Sequence, residues 1–226
     1  MQNCKIPFPK GTKIAVSWSG GKDSCLALDR AVQAGAIPVR MLTMMREDGE
    51  RSRSHALPVN LLQMQADSLG LSLDFRSATW QSYEAEFIDM LKKAKADGVK
   101  AVVFGDIDLE PHRQWEEKVC QAAGLGCWLP LWGENRETLV AEVVAKGYQA
   151  RITTVNGKFL PGDFVGRAMS QELIAEFHAL GVDPCGENGE FHTVVTAGPL
   201  FRTPVNAQLA QTLQNEGYFF ADWSYC

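Results

Sequence analysis

The sequence predicts an α/β protein whose larger part is a doubly wound parallel sheet, followed by a smaller α+β domain. Residues 13–16 form a short apolar run that enters a glycine turn and then a helical pattern. Strand-like and helical segments alternate as far as residue 131, which is typical of a parallel sheet built from βαβ units. Beyond Gly133 the segments become shorter and mixed. We therefore predict two domains, residues 1–133 and 134–226.

Each element is predicted from the periodicity of its apolar residues. Continuous apolar runs indicate strands buried on both faces, whereas apolar residues three and four apart, as in Cys25, Leu26 and Leu28, indicate helices. The first domain is predicted to contain strands over 13–16, 37–45, 71–75, 101–107 and 125–131, with helices over about 23–35, 54–70, 80–97 and 111–124. The second is predicted to contain helices over 137–146 and 171–180 and strands over 149–155 and 191–196.

Bulk properties narrow the range of partners. The chain has 226 residues, 46% of them hydrophobic, and a formal net charge of -5. This acidic balance argues against a broad nucleic-acid surface. The six cysteines contain no C-x-x-C pair, which is typical of reduced thiols in a cytoplasmic protein. No apolar run reaches the roughly 18 residues of a membrane span, so no membrane partner is expected, and homodimer formation is left open.

The most informative motif joins the first strand to the first helix. It reads Ser17-Trp18-Ser19-Gly20-Gly21-Lys22-Asp23-Ser24. A glycine turn at a helix N-terminus directs backbone N–H groups and the positive end of the helix dipole at one point, where an anion binds. The hydroxyls of Ser19 and Ser24 and the ammonium of Lys22 add to this charge. Walker A and dinucleotide spacings are both absent. The motif therefore predicts phosphate binding, with an ordinary loop as the alternative.

Two further strand ends supply candidates, because open α/β sheets bind ligands at the carboxyl ends of their strands. Thr43 and Met44 end the second strand and are candidates for contact with adenine, mainly through backbone atoms, although a plain core strand explains them equally well. His55 lies in the polar loop that follows, whose alternative role is a solvated surface loop.

The fourth strand and the helix after it supply the remaining candidates in the first domain. Gly105 and Asp106 end that strand, and Asp106 is predicted either to touch ligand or metal or to cap the next helix. His112 and Arg113 lie in the first turn of the helix. Cations there oppose the helix dipole, which indicates a compensating anion.

A second polar motif lies at residues 183–193. Glu187, Glu190 and His192 fall close together between flexible glycines, so they can converge on one small volume. Carboxylates there could hold a cation or ammonium or act as a general base, and the imidazole could move a proton near neutral pH. A polar turn before a strand is the alternative.

Together these motifs resemble the diphthine–ammonia ligase family of N-type ATP pyrophosphatases, over nearly the whole chain. The resemblance rests on the first motif, Gly105-Asp106-Ile107, His112-Arg113, Pro130-Leu131-Trp132 and Gly186-Glu-Asn-Gly-Glu-Phe-His-Thr193. It implies a Rossmann-like fold of the adenine nucleotide alpha hydrolase-like type that uses ATP and Mg²⁺. It also implies adenylation of an acceptor carboxylate, with release of pyrophosphate, followed by attack of ammonia.

The resemblance also implies roles for individual residues. Lys22 would offset phosphate charge, Asp23 would help to hold Mg²⁺, and Glu187, Glu190 and His192 would position or deprotonate ammonia. The predicted nucleotide contacts are residues 17–24 with Thr43, Met44, Gly105 and Asp106, and the predicted substrate contacts are His55, His112, Arg113, Gly186, Asn188 and Thr193. A complete set of metal ligands is not predicted.

The sequence departs from the family at two positions of the second motif. Members assigned to diphthamide synthesis carry Glu-Gly-Gly-Glu-Phe/Tyr-Glu-Thr, whereas this chain has Asn188 and His192. The acceptor is therefore either the modified residue diphthine or a small-molecule carboxylate, as suggested for a bacterial-type branch in cobalamin salvage. A tRNA-modifying relative and a nucleotide-binding module without turnover are the alternatives in other functional classes.

Overall fold

A computed structural model describes residues 7–225, and these divide into two compact units. The first contains residues up to 19, 23–53 and 70–133. The second contains 20–22, 54–69 and 134 onward. All described residues after 133 thus fall in the second unit, which also takes in two segments of the predicted first domain.

The first unit is built on a five-stranded sheet. Its strands are β1 (Lys13–Ser17), β2 (Ile37–Met45), β3 (Ser72–Ser77), β4 (Ala101–Val103) and β5 (Gly126–Trp128), and its helices include α1 (Lys22–Gln33), α3 (Tyr83–Ala96) and α4 (Glu110–Ala123). All neighbouring strands are parallel, in the order β3-β2-β1-β4-β5. This arrangement confirms the predicted α/β class.

Burial on both faces explains why these strands are continuous apolar runs. Ala15 and Leu42 pack into a core with Phe87 and Leu91 of α3 and Val119 of α4. Side chains that alternate with these along the strands, such as Ile14, Val16 and Met41, are buried as well. Such a sheet shows no alternation of polar and apolar residues.

Two strands are shorter than the predicted 101–107 and 125–131. β4 ends at Val103 and β5 at Trp128. The apolar residues that suggested longer strands, Phe104, Ile107 and Leu131, are buried outside the sheet. Burial produces the same apolar run as strand pairing does, so periodicity does not separate the two.

The described part of the second unit combines three α-helices and a short 3₁₀-helix (Gly162–Phe164) with an antiparallel sheet. The α-helices are α2 (Val59–Leu69), α5 (Arg136–Ala145) and α6 (Gln171–Leu180). The strands are β6 (Gln149–Asn156), β7 (Phe191–Ala197), β8 (Ala207–Asn215) and β9 (Tyr218–Tyr225), in the order β7-β6-β9-β8. The hairpin of β8 and β9 was not predicted. β8 is exposed or half-buried throughout and carries no apolar alternation, because it forms the edge of the sheet.

Two bulk predictions can be compared with the described residues. Cys25, Cys120, Cys127 and Cys185 form no disulfide bond within the described residues, whereas Cys4 and Cys226 lie outside them. Within residues 7–225 no helix is both long and apolar enough to cross a bilayer.

Candidate active site

The first unit brings several predicted residues to the point where the strand order reverses. β1 lies between β2 and β4, and ligands of open α/β sheets bind beside such a reversal. Ser17 ends β1, and the Trp18 N–H donates to Leu42 O at 2.8 Å. The hydroxyl of Thr43 donates to Trp18 O at 2.8 Å. The backbone that enters the glycine turn is therefore fixed by β2.

The start of α1 gathers polar groups within the first unit. The hydroxyls of Ser19 and Ser24 lie 3.1 Å apart. Gly105 approaches so closely that an added Cβ would lie 2.7 Å from Ser24 N and 2.8 Å from the Asp23 carbonyl carbon. Only glycine permits this approach, which keeps the segment after β4 against the first turn of the helix. Two hydroxyls thus lie together at the N-terminus of α1, where the helix dipole favours an anion.

The side chains of Thr43 and Met44 belong to the interior. Thr43 is 3% exposed and Met44 is 6% exposed, and Met44 packs into the core of the first unit. Contact with adenine through their backbone atoms stays a prediction.

The basic side chains at the start of α4 have acidic partners within the protein. His112 Nδ1 donates to Asp106 Oδ1 at 2.7 Å, and Arg113 donates to Glu110 at 2.8 Å while lying 5.0 Å from the Trp132 ring centre. The anion expected from the sequence is therefore supplied, at least in part, by these carboxylates.

Asp106 also interacts with a residue that was not predicted, Glu116. Glu116 is 3% exposed, and burial, followed by the charge of Asp106, raises the pKa of Glu116 to about 11. It is therefore a neutral acid that donates to Asp106 at physiological pH. Burial disfavours the Asp106 carboxylate, but hydrogen bonds from His112 and Glu116 outweigh it and hold the pKa of Asp106 below its ordinary value.

In the second unit, residues 20–22 of the first motif lie directly on β7. Val195 N–H donates to Gly20 O at 2.9 Å, and Lys22 N–H donates to the Thr193 hydroxyl at 3.1 Å. The Gln65 amide donates to both Gly20 O, at 3.0 Å, and Val195 O, at 2.7 Å. These hydrogen bonds hold residues 20–22 against β7, and a shared binding cleft stays a prediction.

The two glycines of the motif serve different needs. Gly20 has φ +84°, whereas Gly21 does not have a positive φ. A Cβ on Gly21 would overlap the His55 imidazole and lie 3.0 Å from Thr193 O. Gly20 therefore makes the turn, and Gly21 leaves room for His55.

Lys22 is almost fully buried within the second unit. It is 3% exposed, its Nζ donates to Cys185 O, and it lies 5.8 Å from the Phe191 ring centre. The ammonium therefore ties the first motif to the turn that begins the second.

Two imidazoles stack beside this loop. The rings of His55 and His192 have centres 4.7 Å apart and planes 30° apart. His55 Nδ1 lies 2.7 Å from Thr193 O, and because a carbonyl only accepts, Nδ1 carries the proton. Burial lowers the pKa of His55 to about 4, with a smaller contribution from Lys22, against the raising effect of the Thr193 bond. His55 is therefore neutral near pH 7.

The turn before β7 is organised by two carboxylates. Asp183 accepts from Cys185 N at 2.9 Å and Glu187 N at 3.2 Å, and it pairs with Arg136. Glu190 is 3% exposed and accepts from Asn188 N and Asn188 Nδ2, each at 3.0 Å. The Glu190 carboxylate therefore holds the turn together, and a catalytic role for it stays a prediction.

The remaining residues of the second motif surround this turn. Gly186 has φ +75°, and a Cβ there would lie 2.7 Å from Phe191 O, so glycine is required. Glu187 is half-buried, whereas the Asn188 side chain is exposed.

The predicted site residues thus fall into two groups. The first unit holds Ser17, Trp18, Ser19, Asp23, Ser24, Thr43, Met44, Gly105, Asp106, His112 and Arg113, and the second holds Gly20, Gly21, Lys22, His55, Gly186, Glu187, Asn188, Glu190, His192 and Thr193.

Four contributors escaped the sequence interpretation, namely Gln65, Glu116, Arg136 and Asp183. Gln65 carried a signal, because it falls among the apolar positions of α2; it is 0% exposed, and Ser68 is the other polar residue buried on that helix. Asp183 begins an Asp-Pro turn, which is a known capping signal. Glu116 and Arg136 lie on helices and carry no local signal.

Among residues 7–225 no three His, Cys, Asp or Glu side chains are arranged to hold an ion. Mg²⁺ usually binds through one or two carboxylates together with substrate phosphates. Asp23, in the first turn of α1, fits that mode.

Comparison with known families covers both units. Residues 12–127 match the model of the diphthamide synthase N-terminal domain, and residues 135–226 match that of the diphthamide synthase C-terminal domain. The diphthine–ammonia ligase of Rattus norvegicus is 26% identical over 239 residues, which cover 94% of this chain and 89% of the relative. The human diphthine–ammonia ligase is 24% identical, with the same coverage.

Among solved structures, a predicted subunit of tRNA methyltransferase from Methanocaldococcus jannaschii is similar with a TM-score of 0.46. The two are 17% identical, and the match covers 83% of this chain and 97% of the other. Because the score is below 0.5, the fold class rests on the strand order itself.

Proposed function

Because the chain belongs to the diphthamide synthase family, we propose that it is an ATP-dependent ligase that forms a C–N bond. It adenylates an acceptor carboxylate, releases pyrophosphate, and transfers ammonia or another amine to the acyl carbon. The relatives named diphthine–ammonia ligase support this class of reaction.

The observation that carries the proposal is the contact between the two motifs. Residues 20–22 are bound to β7 through Val195, Thr193 and Gln65. A loop of phosphate-binding type is thereby held against the polar segment that follows Gly186. Adenylation followed by amine transfer needs both kinds of group at one place, because alignment and charge neutralisation supply most of the rate.

Each part of the chain has a task in this reaction. The N–H groups at the start of α1, together with Lys22, neutralise the phosphates and so favour departure of pyrophosphate. Glu187 and His192 orient the amine. The carboxylate oxygen of the acceptor attacks the α-phosphorus, and the amine then displaces AMP from the acyl carbon. Mg²⁺, held by Asp23 and the phosphates, supplies further charge neutralisation when bound.

The acceptor is a carboxylate, and we propose that it belongs to diphthine on an elongation factor. Asn188 and His192 depart from the pattern of the diphthamide-synthesising members, so a small-molecule carboxylate such as a corrinoid acid is the second acceptor to assay.

The test is release of AMP and pyrophosphate from ATP in the presence of each acceptor and ammonium. Lys22→Met keeps much of the aliphatic stem but removes the ammonium, and it should reduce turnover by about 10²-fold or more. Lys158→Ala, at an exposed lysine of the same unit, is the matched control and should retain activity. Full turnover in Lys22→Met would refute the assignment of the loop. ATP binding without AMP release would indicate a nucleotide-binding module instead.

A further inference from the structure

One ring nitrogen of His55 is hydrogen-bonded to the protein, and the other makes no hydrogen bond within the described residues. Nδ1 donates to Thr193 O, and the ring lies on His192. Nε2 makes no hydrogen bond to any residue from 7 to 225, although the residue as a whole is only 9% exposed. The Nε2 atom is also accessible to solvent. The fully buried side-chain atoms that lack a hydrogen-bond partner in that range, such as Arg40 Nε and Arg53 Nε, do not include it.

The tautomer determines what this nitrogen can bind. With the proton on Nδ1, a neutral ring presents a lone pair at Nε2, which accepts a hydrogen bond and donates none. Its ligand must therefore carry an N–H or O–H group.

The position of the ring narrows the ligand further. His55 packs on Gly21 of the phosphate-type loop and on His192 of the second motif. The ammonium of Lys22 interacts repulsively with a positive charge at this ring. A neutral hydrogen-bond donor can therefore bind at His55 Nε2, whereas the charge of Lys22 repels a cationic one.

We propose that His55 Nε2 binds the nitrogen nucleophile as neutral ammonia, accepting one of its N–H groups and so directing the nitrogen lone pair away from the ring. This inference rests on the proposed function and adds the binding point of its second substrate. His55 is a substrate-binding residue in this scheme and removes no proton.

The first experiment needs neither turnover nor acceptor. Protein labelled with ¹⁵N-histidine contains four histidines, and ammonium chloride is titrated at pH 7 and pH 8.5 while the ring nitrogens are followed by NMR. We expect a saturable shift of His55 Nε2 at a lower total ammonium concentration at pH 8.5, where more of it is neutral. Absence of a saturable shift, or tighter binding at pH 7, would overturn the proposal.

Two substitutions separate the nitrogens of the ring. His55→Asn places an amide near the Nδ1 position and loses the distal acceptor, whereas His55→Gln places an amide oxygen near the Nε2 position. His55→Asn should raise the KM for ammonia about tenfold, the factor expected for loss of one hydrogen bond, with the KM for ATP unchanged. His55→Gln should restore part of that loss. His178→Asn, at a half-exposed histidine of α6, is the control.

The outcomes distinguish this inference from the function on which it rests. A rise in the KM for ATP instead of ammonia would show that a nucleotide donor occupies Nε2 and would overturn the proposal. A pH-dependent shift at His55 without AMP release would support the ammonia site while refuting the ligase reaction.

Discussion

Acidification should unfold this protein partly through one buried imidazole. His55 has an ordinary pKa of 6.5 in the unfolded chain and about 4 in the folded unit, because burial disfavours its charged form. The stabilisation is fully present above pH 6.5 and is lost as the pH falls toward 4, because the unfolded state then binds the proton more strongly. At pH 5 the loss corresponds to about 2 kcal/mol of the free energy of unfolding.

The measurement is urea unfolding of wild type and His55→Asn at pH 7.5 and pH 5.0. Asparagine does not titrate, so the decrease in unfolding free energy between the two pH values should be smaller in the variant by about 2 kcal/mol. Comparing the decrease within each protein removes the effect of lost packing. His178→Asn, with a side chain that is 45% exposed, should behave as wild type. An equal decrease in His55→Asn and wild type would show that His55 is not held neutral.

Three further substitutions test separate contacts. Gly21→Ala should lower the free energy of unfolding by roughly 1–3 kcal/mol, because the methyl group overlaps the imidazole of His55, and it should reduce AMP release. Glu116→Gln should be more stable than wild type at pH 8 by up to about 5 kcal/mol, because the folded state no longer has to retain a proton that the unfolded state releases; the difference should shrink toward pH 5. Asp183→Asn should cost roughly 2–4 kcal/mol, because the Arg136 guanidinium loses its charged partner and the turn loses an acceptor. Urea unfolding measures the change in the free energy of unfolding for all three variants.

Two control variants serve for comparison with Gly21→Ala and Asp183→Asn. Gly189→Ala, where a methyl group meets open space, carries only the backbone strain of a positive φ, about 1 kcal/mol. Asp163→Asn changes an exposed carboxylate of the same unit and should be near neutral. Contrary results would be an unchanged Gly21→Ala, a Glu116→Gln effect that does not vary with pH, or an Asp183→Asn no worse than Asp163→Asn.

The sequence was sufficient for the parallel sheet because its strands are buried on both faces and alternate with helices. It was insufficient for the β8–β9 hairpin, because an exposed edge strand such as Ala207–Asn215 lacks an apolar pattern. Likewise, the run ending at Leu131 is apolar because it is buried outside the sheet, so it suggested too long a strand.

At the site, the sequence reveals the short motifs but not the tertiary contacts that hold them in place. The glycines and Lys22 form a recognisable string, since a turn before a helix is a local feature. Gln65 hydrogen-bonds to Gly20, 45 positions away, and to Val195, 130 positions away, and no local pattern records such contacts. Glu116 acquires its neutrality only from burial beside Asp106, which depends on the completed fold.

The neutral state of Glu116 has a consequence for calorimetry. Near pH 7.5 that side chain keeps its hydrogen ion only while the first unit is intact, so melting delivers it to the solvent. The heat absorbed on melting then contains the enthalpy with which the buffer takes up that ion. Scans in phosphate and in Tris at one pH should therefore differ in total heat, even though the same contacts are broken in both.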